Sequence, residues 1–568
     1  MKPERDITAR TRQLMQRARE LGDRDFDRAE RLVHVEIPGL PQYDGGSVAQ
    51  CSVEYAIALL ETGGNAGCAS QIIDRVLDFQ VRDECSLRHG NFYWMSSWKE
   101  PTDPNAVYFL VPNLVHVWNR HRSRLTPRVR QRLKESWPLC MHAMQRHRAD
   151  WTYTNIFVLG ILSRFLLAPL LTRSDLDKDA RAQWETFLKG IAHFGICEYN
   201  SPTYLPVCIY ALEQLCTGGP RDLLRQFRGV LEYFYFEFAA RYHAPTGFLA
   251  GAMSRAYSWD MELGGSFAAL LAHREWGTPY KENNTFSVNW LLAHQSMPAE
   301  IRRIALHKPL PLEIVADNRN RNIRRTDYLG RNFTIGSQTG DWYGGQQVPL
   351  FVTIAGKDGG ASLFVKPSMP TAARFFSKQT GPSVRGLFYY DASAVAYELR
   401  KSSPAQTPSE ILSYRWRLGK RDLIEAVWVN GKRWIGKKTV LRKQLDIVAM
   451  LGHTHLHLAL AADGEVRFLL DWEQDAIVLA ISTCKAGSLR KNLATGIHFL
   501  LDLKENLRET YTRSPKPRRR VILDSKEQFL HPHYLSPYTH VLHRSSLAEI
   551  GPDDLLPFFR GRGDAPWS

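Results

Sequence analysis

The sequence predicts an α+β multidomain chain: an N-terminal (α/α) toroid of helical hairpins followed by a C-terminal antiparallel β-sheet or sandwich. Three observations predict it. Through residues 1–305 apolar residues recur at three-and-four spacing, the period of helices that bury one face. From residue 306 the apolar runs shorten and alternate, broken by turn dipeptides such as Asn430-Gly431 and Asp463-Gly464, as antiparallel hairpins require. A chain of 568 residues also exceeds what one hydrophobic core usually serves.

The N-terminal stretch MKPERDITARTRQLMQRARELGD is charged and helical, without the apolar centre of a secretory signal. Helices follow at VEYAIALLET, AVYFLVPNLVHVWNRH, NIFVLGILSRFLLAPLL and LLRQFRGVLEYFYFEFAARY, joined by short loops such as KEPTDPN and CTGGPRD. Short loops imply antiparallel pairs, stacked as a solenoid or closed as a toroid; the lack of a fixed repeat argues against a regular solenoid. No uninterrupted apolar run reads as a membrane span. The Pro- and Arg-rich segment KPLPLEIVADNRNRNIRRTDYLG marks the crossing into the second domain. Strands are expected over residues 306–520, at RNFTIGSQ, VPLFVTIAG, ASLFVK, LIEAVWVNGKRWIG, LHLALAADGEVRFLLDW and AIVLAIS. Residues 521–568 read as a tail packed on the β-domain, preceded by a solvated basic run at Lys516, Arg518, Arg519 and Arg520.

The formal charge of +16 favours a polyanionic partner, because a positive field concentrates anions and steers their approach. Acidic polysaccharide and nucleic acid compete for that role. The chain shows no zinc-finger spacing, RRM-type aromatic signature or helix-turn-helix pattern, so nucleic acid rests on charge alone. Eight cysteines lack any CxxC pair and lie mostly in apolar helical context. They read as free thiols of a reducing compartment, which makes a cytoplasmic location the expectation, or a secreted or periplasmic one if a leader precedes this sequence.

The stretch CEYNSPTYLPVCIYA, from Cys197 to Ala211, crowds Glu198, Tyr199, Asn200, Ser201, Thr203 and Tyr204 around Pro202. A proline at the first helical position after a capping Ser or Asn marks a helix start. It is either the rim of an active site or a capped helix start whose tyrosines fill the core. Asn155 lies upstream in WTYTNIFVLG, and Arg255 and Tyr257 lie downstream in GAMSRAYSWDMELGG. A second cluster, HGNFYWMSSWKEPTDPNAVYF, holds His89, Asn91, Tyr93, Trp94, Trp98, Asp103 and Asn105 on a Gly/Pro-broken loop. Such aromatics either present faces to sugar rings or plug the gap between two helices. In LGHTHLHLAL, period-two geometry puts His453, His455 and His457 on one strand face. These imidazoles are solvated, reach into a cleft or hold a divalent metal, the one cofactor considered; no metal ligand is assigned.

A helical domain, then a β-domain, with Asn155, the Tyr199 to Tyr204 cluster and SRAY at 254–257 in that order, resembles the toroid-plus-sheet polysaccharide lyases of the alginate lyase, heparinase II/III and chondroitin AC lyase group. RRTDYLGRNFTIGSQTGDWYGGQQVPLFV is similar to the first strands of their β-domain. The resemblance implies β-elimination on a uronic-acid poly- or oligosaccharide, without a required cofactor. It implies Asn155 as neutraliser of the sugar carboxylate, Tyr204 or Tyr257 as base and acid, and Arg255 as carboxylate or phenolate partner. Tyr199 and Asn200 complete the catalytic set. Asn91, Tyr93, Trp94, Trp98, Asp103, Asn105, Glu198, His453 and His455 are the expected substrate contacts. The histidine that the group carries near position 200 is absent, and neither His193 nor His243 can be placed from sequence.

The chemistry stands apart from the resemblance. β-Elimination removes a weakly acidic proton beside a carboxylate, so developing charge must be neutralised and a base must reach the carbon. A side-chain amide can donate to a carboxylate without a counter-charge; the alternative for Asn155 is a bond to the local backbone. Two other classes stay open. An inverting glycoside hydrolase would use separated carboxyl groups drawn from Glu198, Asp260, Glu262 and Asp103. A non-catalytic polyanion binder would need only charge and aromatic faces.

Overall fold

The computed structural model describes residues 3–35, 46–257, 261, 266–280, 288, 291–292, 295, 297–318, 323–339, 346–356, 360–368, 372–391, 395, 413–442, 444–462, 466–473, 476–482, 496–505, 539–543, 546–550 and 552–562. The Asp463-Gly464 turn, the 516–520 basic run, Asp260 and Glu262 lie outside these residues.

The helical part comprises α1 (Pro3–Asp25), α2 (Ala49–Glu61), α3 (Ala66–Leu77), α4 (Ala106–His121), α5 (Pro127–Arg146), α6 (Thr154–Leu171), α7 (Ser174–Phe194), α8 (Tyr204–Gly218), α9 (Leu224–Arg241), α10 (Phe267–Trp276) and α11 (Ala299–His307). Local chemistry starts several of them. Asn65 accepts from the Cys68 N–H ahead of α3, and Thr126 accepts from Val129 N–H with Pro127 at the first position of α5. Helices α2, α4, α6 and α8 pack on one another in succession; α8 touches α10, α10 touches α1, and α1 returns to α2. That circuit is the inner ring of a toroid, with α3, α5, α7 and α9 as its outer partners. A buried ion pair closes the circuit at its thinnest point, where Arg274 of α10 donates to Glu213 of α8 at 2.6 and 3.0 Å.

Of these inner helices, α2, α6 and α8 are apolar almost all round because neighbours cover every face. Helix α6 consequently does reach the length and composition of a membrane span, contrary to the expectation above. Most of it is buried inside the domain, as a core helix is, and its Arg164 is spent on Asp179 at 2.9 Å.

From Leu312 onward the described residues form two antiparallel sheets. The first has eleven strands in the order 439–442, 467–473, 476–482, 413–420, 361–367, 350–354, 333–339, 323–329, 312–318, 539–543 and 546–550. The second has seven, in the order 373–380, 383–390, 497–505, 454–462, 444–451, 424–429 and 432–433. The alternation of side chains decides the layering. Phe351 and Phe364 face the helices, whereas Leu350, Val352, Leu363 and Val365 face the second sheet. The eleven-stranded sheet is therefore the middle layer. Asn430 and Gly431 have φ of 49° and 78°, the left-handed pair that a two-residue hairpin needs, and they join Val429 to Lys432 as their sequence requires.

The histidines of the LGHTHLHLAL segment belong to the outer, seven-stranded sheet. His453 precedes the strand and is exposed, while His455 is buried and His457 half-buried within Thr454–Ala462. His457 Nε2 lies 2.9 Å from Asp446 Oδ2 and its Nδ1 3.9 Å from Asp502 Oδ2. They do not form one in-line row, because left-handed Gly452 turns the chain ahead of the strand. The C-terminal segment also differs from its expected packing. Strands 539–543 and 546–550 do extend the β-domain, but helix α12 (Pro552–Phe559) returns to the helical domain and packs on α7 and α9. Phe558 and Phe559 drive this by burying their rings in the helical core, the latter 5.4 Å from Tyr233.

The two domains are fastened by buried polar contacts. Arg241, ending α9, donates to Asp327 of strand 323–329 at 2.9 Å and to Glu237 at 2.6 Å. His243 contributes Nε2 to the Gly330 carbonyl at 2.8 Å, and its burial holds the ring neutral by lowering its pKa to about 4. Removing Arg241 strands two carboxyl groups away from water. Arg241→Met is expected to cost about 3–5 kcal/mol, read as a lower urea midpoint. Lys189→Met, which breaks the exposed pair with Glu185, should leave the midpoint unchanged.

Candidate active site

Three inner helices begin at one place. Asn105 stands just ahead of α4, Tyr153 just ahead of α6, and Tyr204 opens α8. The Asn105 amide donates to the Tyr153 hydroxyl at 3.2 Å, and the Arg255 guanidinium lies 5.3 Å from the Tyr153 ring and 3.9 Å from that of Tyr204. The dipoles of three helices thus gather partial positive charge around one arginine, which suits an anionic ligand.

Segment 196–203 supplies the floor. Regular α8 starts at Tyr204, two residues after Pro202, yet the capped turn begins where the sequence suggests: Ser201 O accepts from Leu205 N–H at 3.1 Å and Ser201 Oγ accepts from Tyr204 N–H at 3.1 Å. Ser201 Oγ also donates to the Arg255 carbonyl at 2.6 Å, tying the two segments that carry the site. Arg255 is fixed on every side. Nη1 donates to Glu198 Oε1 at 2.6 Å, Nε to Gln346 Oε1 at 2.8 Å and Nη2 to the Tyr204 hydroxyl at 3.1 Å. The Tyr204 hydroxyl in turn shares a short hydrogen bond with that of Tyr257. Glu198 Oε2 accepts from both the main-chain N–H and the side-chain amide of Asn155, at 2.7 and 2.6 Å.

The other expected residues divide by location. Tyr199 is buried with its hydroxyl on Gln338 and Gln347 of the β-domain and Arg325 stacked 4.1 Å over its ring. Asn200, at φ 49°, donates to the carbonyls of Ala250 and Ala252 at 2.7 and 3.1 Å. On the aromatic loop, Asn91 holds Asp103 O and Val107 N, while Asp103 accepts from the Trp94 indole at 3.0 Å. Tyr93 and Trp98 are half-buried against the helical core. Asn105 is the loop residue that reaches the site, and His147 Nε2 lies 3.2 Å behind its Oδ1. His453 and His455 remain on the outer sheet, and His193 is exposed on α7.

Tyr153, His147 and Gln346 join this cluster without having been singled out in the sequence. Tyr153 had a local signal, standing two residues before Asn155 at a helix start. Gln346 had none, since only the sheet's docking on the helices brings it to Arg255.

The family model described as "Domain of unknown function (DUF8769)" matches residues 12–307, which include each of these side chains except Gln346. Among solved structures the chain is similar to a mutant of heparan sulfate lyase HepC from Pedobacter heparinus, at 9% identity over 81% of this chain and 75% of that chain, with a TM-score of 0.34. No curated protein matches by sequence.

Burial sets the protonation of the phenols. It pushes Tyr204 well above the usual phenol range, the Tyr257 hydroxyl pushes the same way, and Arg255 opposes both. Tyr153 is pushed up to about 12 by burial, again against Arg255. For Arg255 burial works to lower the pKa, but Tyr204 and Glu198 outweigh it and hold the guanidinium charged. Tyr210, Tyr233 and Tyr235 are likewise raised by burial. An unfolded tyrosine ionises near pH 10, so above that pH the unfolded chain has lost protons that the native chain keeps. Stability is therefore present below about pH 10 and declines as pH rises further. Thermal melts should fall progressively from about pH 10 upward. The phenolate absorbance of these tyrosines should appear with unfolding rather than before it.

Proposed function

The chain belongs to the DUF8769 family, and for the site within it we propose carbon–oxygen lyase chemistry on a uronic-acid-containing oligo- or polysaccharide. One observation carries this reading: two hydrogen-bonded tyrosines are held against a charged arginine where three helix N-termini meet. Helix N-termini and Arg255 favour a sugar carboxylate, and the net charge of +16 favours the approach of a polyanion.

A tyrosine pair can serve both halves of an elimination. The pair, short of one proton, takes the proton beside the carboxylate on one phenolate oxygen. The electrons of that C–H bond form the carbon–carbon double bond as the glycosidic C–O bond breaks, and the second phenol gives its proton to the leaving oxygen. The hydrogen bond between Tyr204 and Tyr257 returns the pair to its starting state. Half-exposed Tyr257 is assigned as base and more enclosed Tyr204 as acid, with Arg255 stabilising the phenolate.

Asn155 takes a different part from the one its resemblance implies. Its amide is bonded to Glu198, so we assign both as positioning residues that aim Arg255. The described carboxylates that a hydrolase would need are already committed, Glu198 to Arg255 and Asn155, and Asp103 to Trp94 and Asn105 N–H. We propose a cytoplasmic setting, suited to buried thiols such as Cys51, Cys140 and Cys208, where oligosaccharides would be the substrate.

The test is absorbance of the unsaturated uronate during incubation with alginate, glucuronan, heparinoid and chondroitin oligosaccharides. A rise that Tyr257→Phe and Tyr204→Phe each reduce by about 10²–10⁴-fold is expected. New reducing ends without the chromophore would establish hydrolysis instead, and binding without turnover would establish a binder. Because the pair must lose a proton and the burial of Tyr204 resists this, the rate should rise about tenfold per pH unit from neutrality into the alkaline range. A bell centred near pH 7 would exclude the phenols.

A further inference from the structure

At the opposite end of α4 from the tyrosines, the inner ring carries a second cluster. Glu61 is the last residue of α2, and His116 and His121 lie in the last turns of α4. Both imidazole Nε2 atoms converge on a single carboxylate oxygen, Glu61 Oε1, at 2.8 and 2.9 Å. All three ligand atoms lie within 4.8 Å of one another. At about 1.5 Å per residue, His116 and His121 lie roughly 15 and 22 Å along α4 from Ala106, so the cluster is separate from the tyrosine site.

Positions 116 and 121 do not share a helix face at regular geometry. His121 joins His116 because its backbone, at φ −127°, leaves the helix at that residue and swings the ring back. Arg124 completes the end of α2, donating to the Leu60 carbonyl at 2.6 Å and the Gly64 carbonyl at 3.2 Å.

We propose that Glu61, His116 and His121 form a divalent transition-metal site with zinc as its preferred ion. Two imidazole nitrogens and one carboxylate oxygen are the donor set of a three-ligand zinc site, with a fourth position left for water. Ligand atoms at about 2.1 Å from zinc stand roughly 3.4 Å apart in a tetrahedron, so each nitrogen–oxygen separation need open by only about half an ångström, while the two nitrogens already lie within 4.8 Å of each other. Two helix C-termini add negative potential. The side chains of His116, His121 and Glu61 are 13%, 10% and 20% exposed, enclosed but open to an entering ion. Arg120 is the competing cation, with Nε 3.3 Å from Glu61 Oε1, but its side chain is 61% exposed and free to turn into solvent. Zinc would tie α2 to α4 and so brace the ring at the end remote from catalysis.

The test uses the full chain stripped with a chelator, then titrated with Zn²⁺ by calorimetry and with Co²⁺ by visible absorbance. One ion per chain with micromolar or tighter affinity, tetrahedral cobalt bands and a higher melting temperature are expected. His116→Gln and His121→Gln should each weaken binding by about 100-fold or more, since outer-shell changes alone cost about 10–100-fold. Arg120→Ala should bind zinc more tightly than the parent. Parent protein without a micromolar site, or glutamine variants that bind as the parent does, would overturn the proposal and leave an ion-paired staple. Should a variant fail to fold, X-ray absorption of zinc-loaded parent protein decides. Two imidazoles and oxygen support the site, and any sulfur ligand or other histidine count refutes it.

Discussion

The site hangs from one buried ion pair, Arg241 to Asp327. Asp327 lies in the middle sheet against segment 250–252, where Gly251, at φ 98°, and Gly336 leave room that any Cβ would fill. Once that segment is seated, Asn200 can grip its carbonyls, Met253 pairs with Val348, and Ser254 donates to Tyr199 O at 2.7 Å. Ser201 then holds the Arg255 carbonyl. Each link is short and buried, so the position of Arg255 follows from how the sheet docks on the helices. A buried pair of this kind contributes less to net stability than to fixing one arrangement, because its desolvation offsets most of its attraction.

The same economy explains the arrangement inside the site. A guanidinium in a poorly solvated place needs a carboxylate near it, and Glu198 supplies one. That carboxylate needs donors of its own, which come from the start of α6 through Asn155. With Glu198 and Gln346 occupying two edges, the third edge of Arg255 is left facing the tyrosine pair. Its charge is thereby directed at the hydroxyls whose protonation the proposed chemistry requires. Tyr199 and Asn200, though adjacent in sequence to these groups, hold the frame.

Much of the fold was legible locally. AVYFLVPNLVHVWNRH is α4 from end to end, and Asn430-Gly431 makes the turn its conformational freedom allows. The cluster was legible in part: Asn155, Glu198, Tyr204, Arg255 and Tyr257 do come together. What failed depended on surroundings. Period two placed three histidines in a row, but left-handed Gly452 turns the chain just ahead of them and leaves His453 outside the strand. A tail with apolar rings was assigned to the nearer domain in sequence, whereas a gap between α7 and α9 took those rings.

The sequence by itself determined the period of each segment, the two-domain division into helices and strands, the basic charge and the residue types that the site has at its disposal. These are local properties, set by neighbours a few positions away. Only the tertiary structure decided that Asn155 turns to Glu198, that Gln346 crosses from the β-domain to Arg255, that His147 stands behind Asn105, and that Glu61 meets His116 and His121. Those contacts join residues tens of positions apart, and they exist because ring closure and the docking of the sheet bring helix ends together. No pattern along the chain encodes which ends will meet.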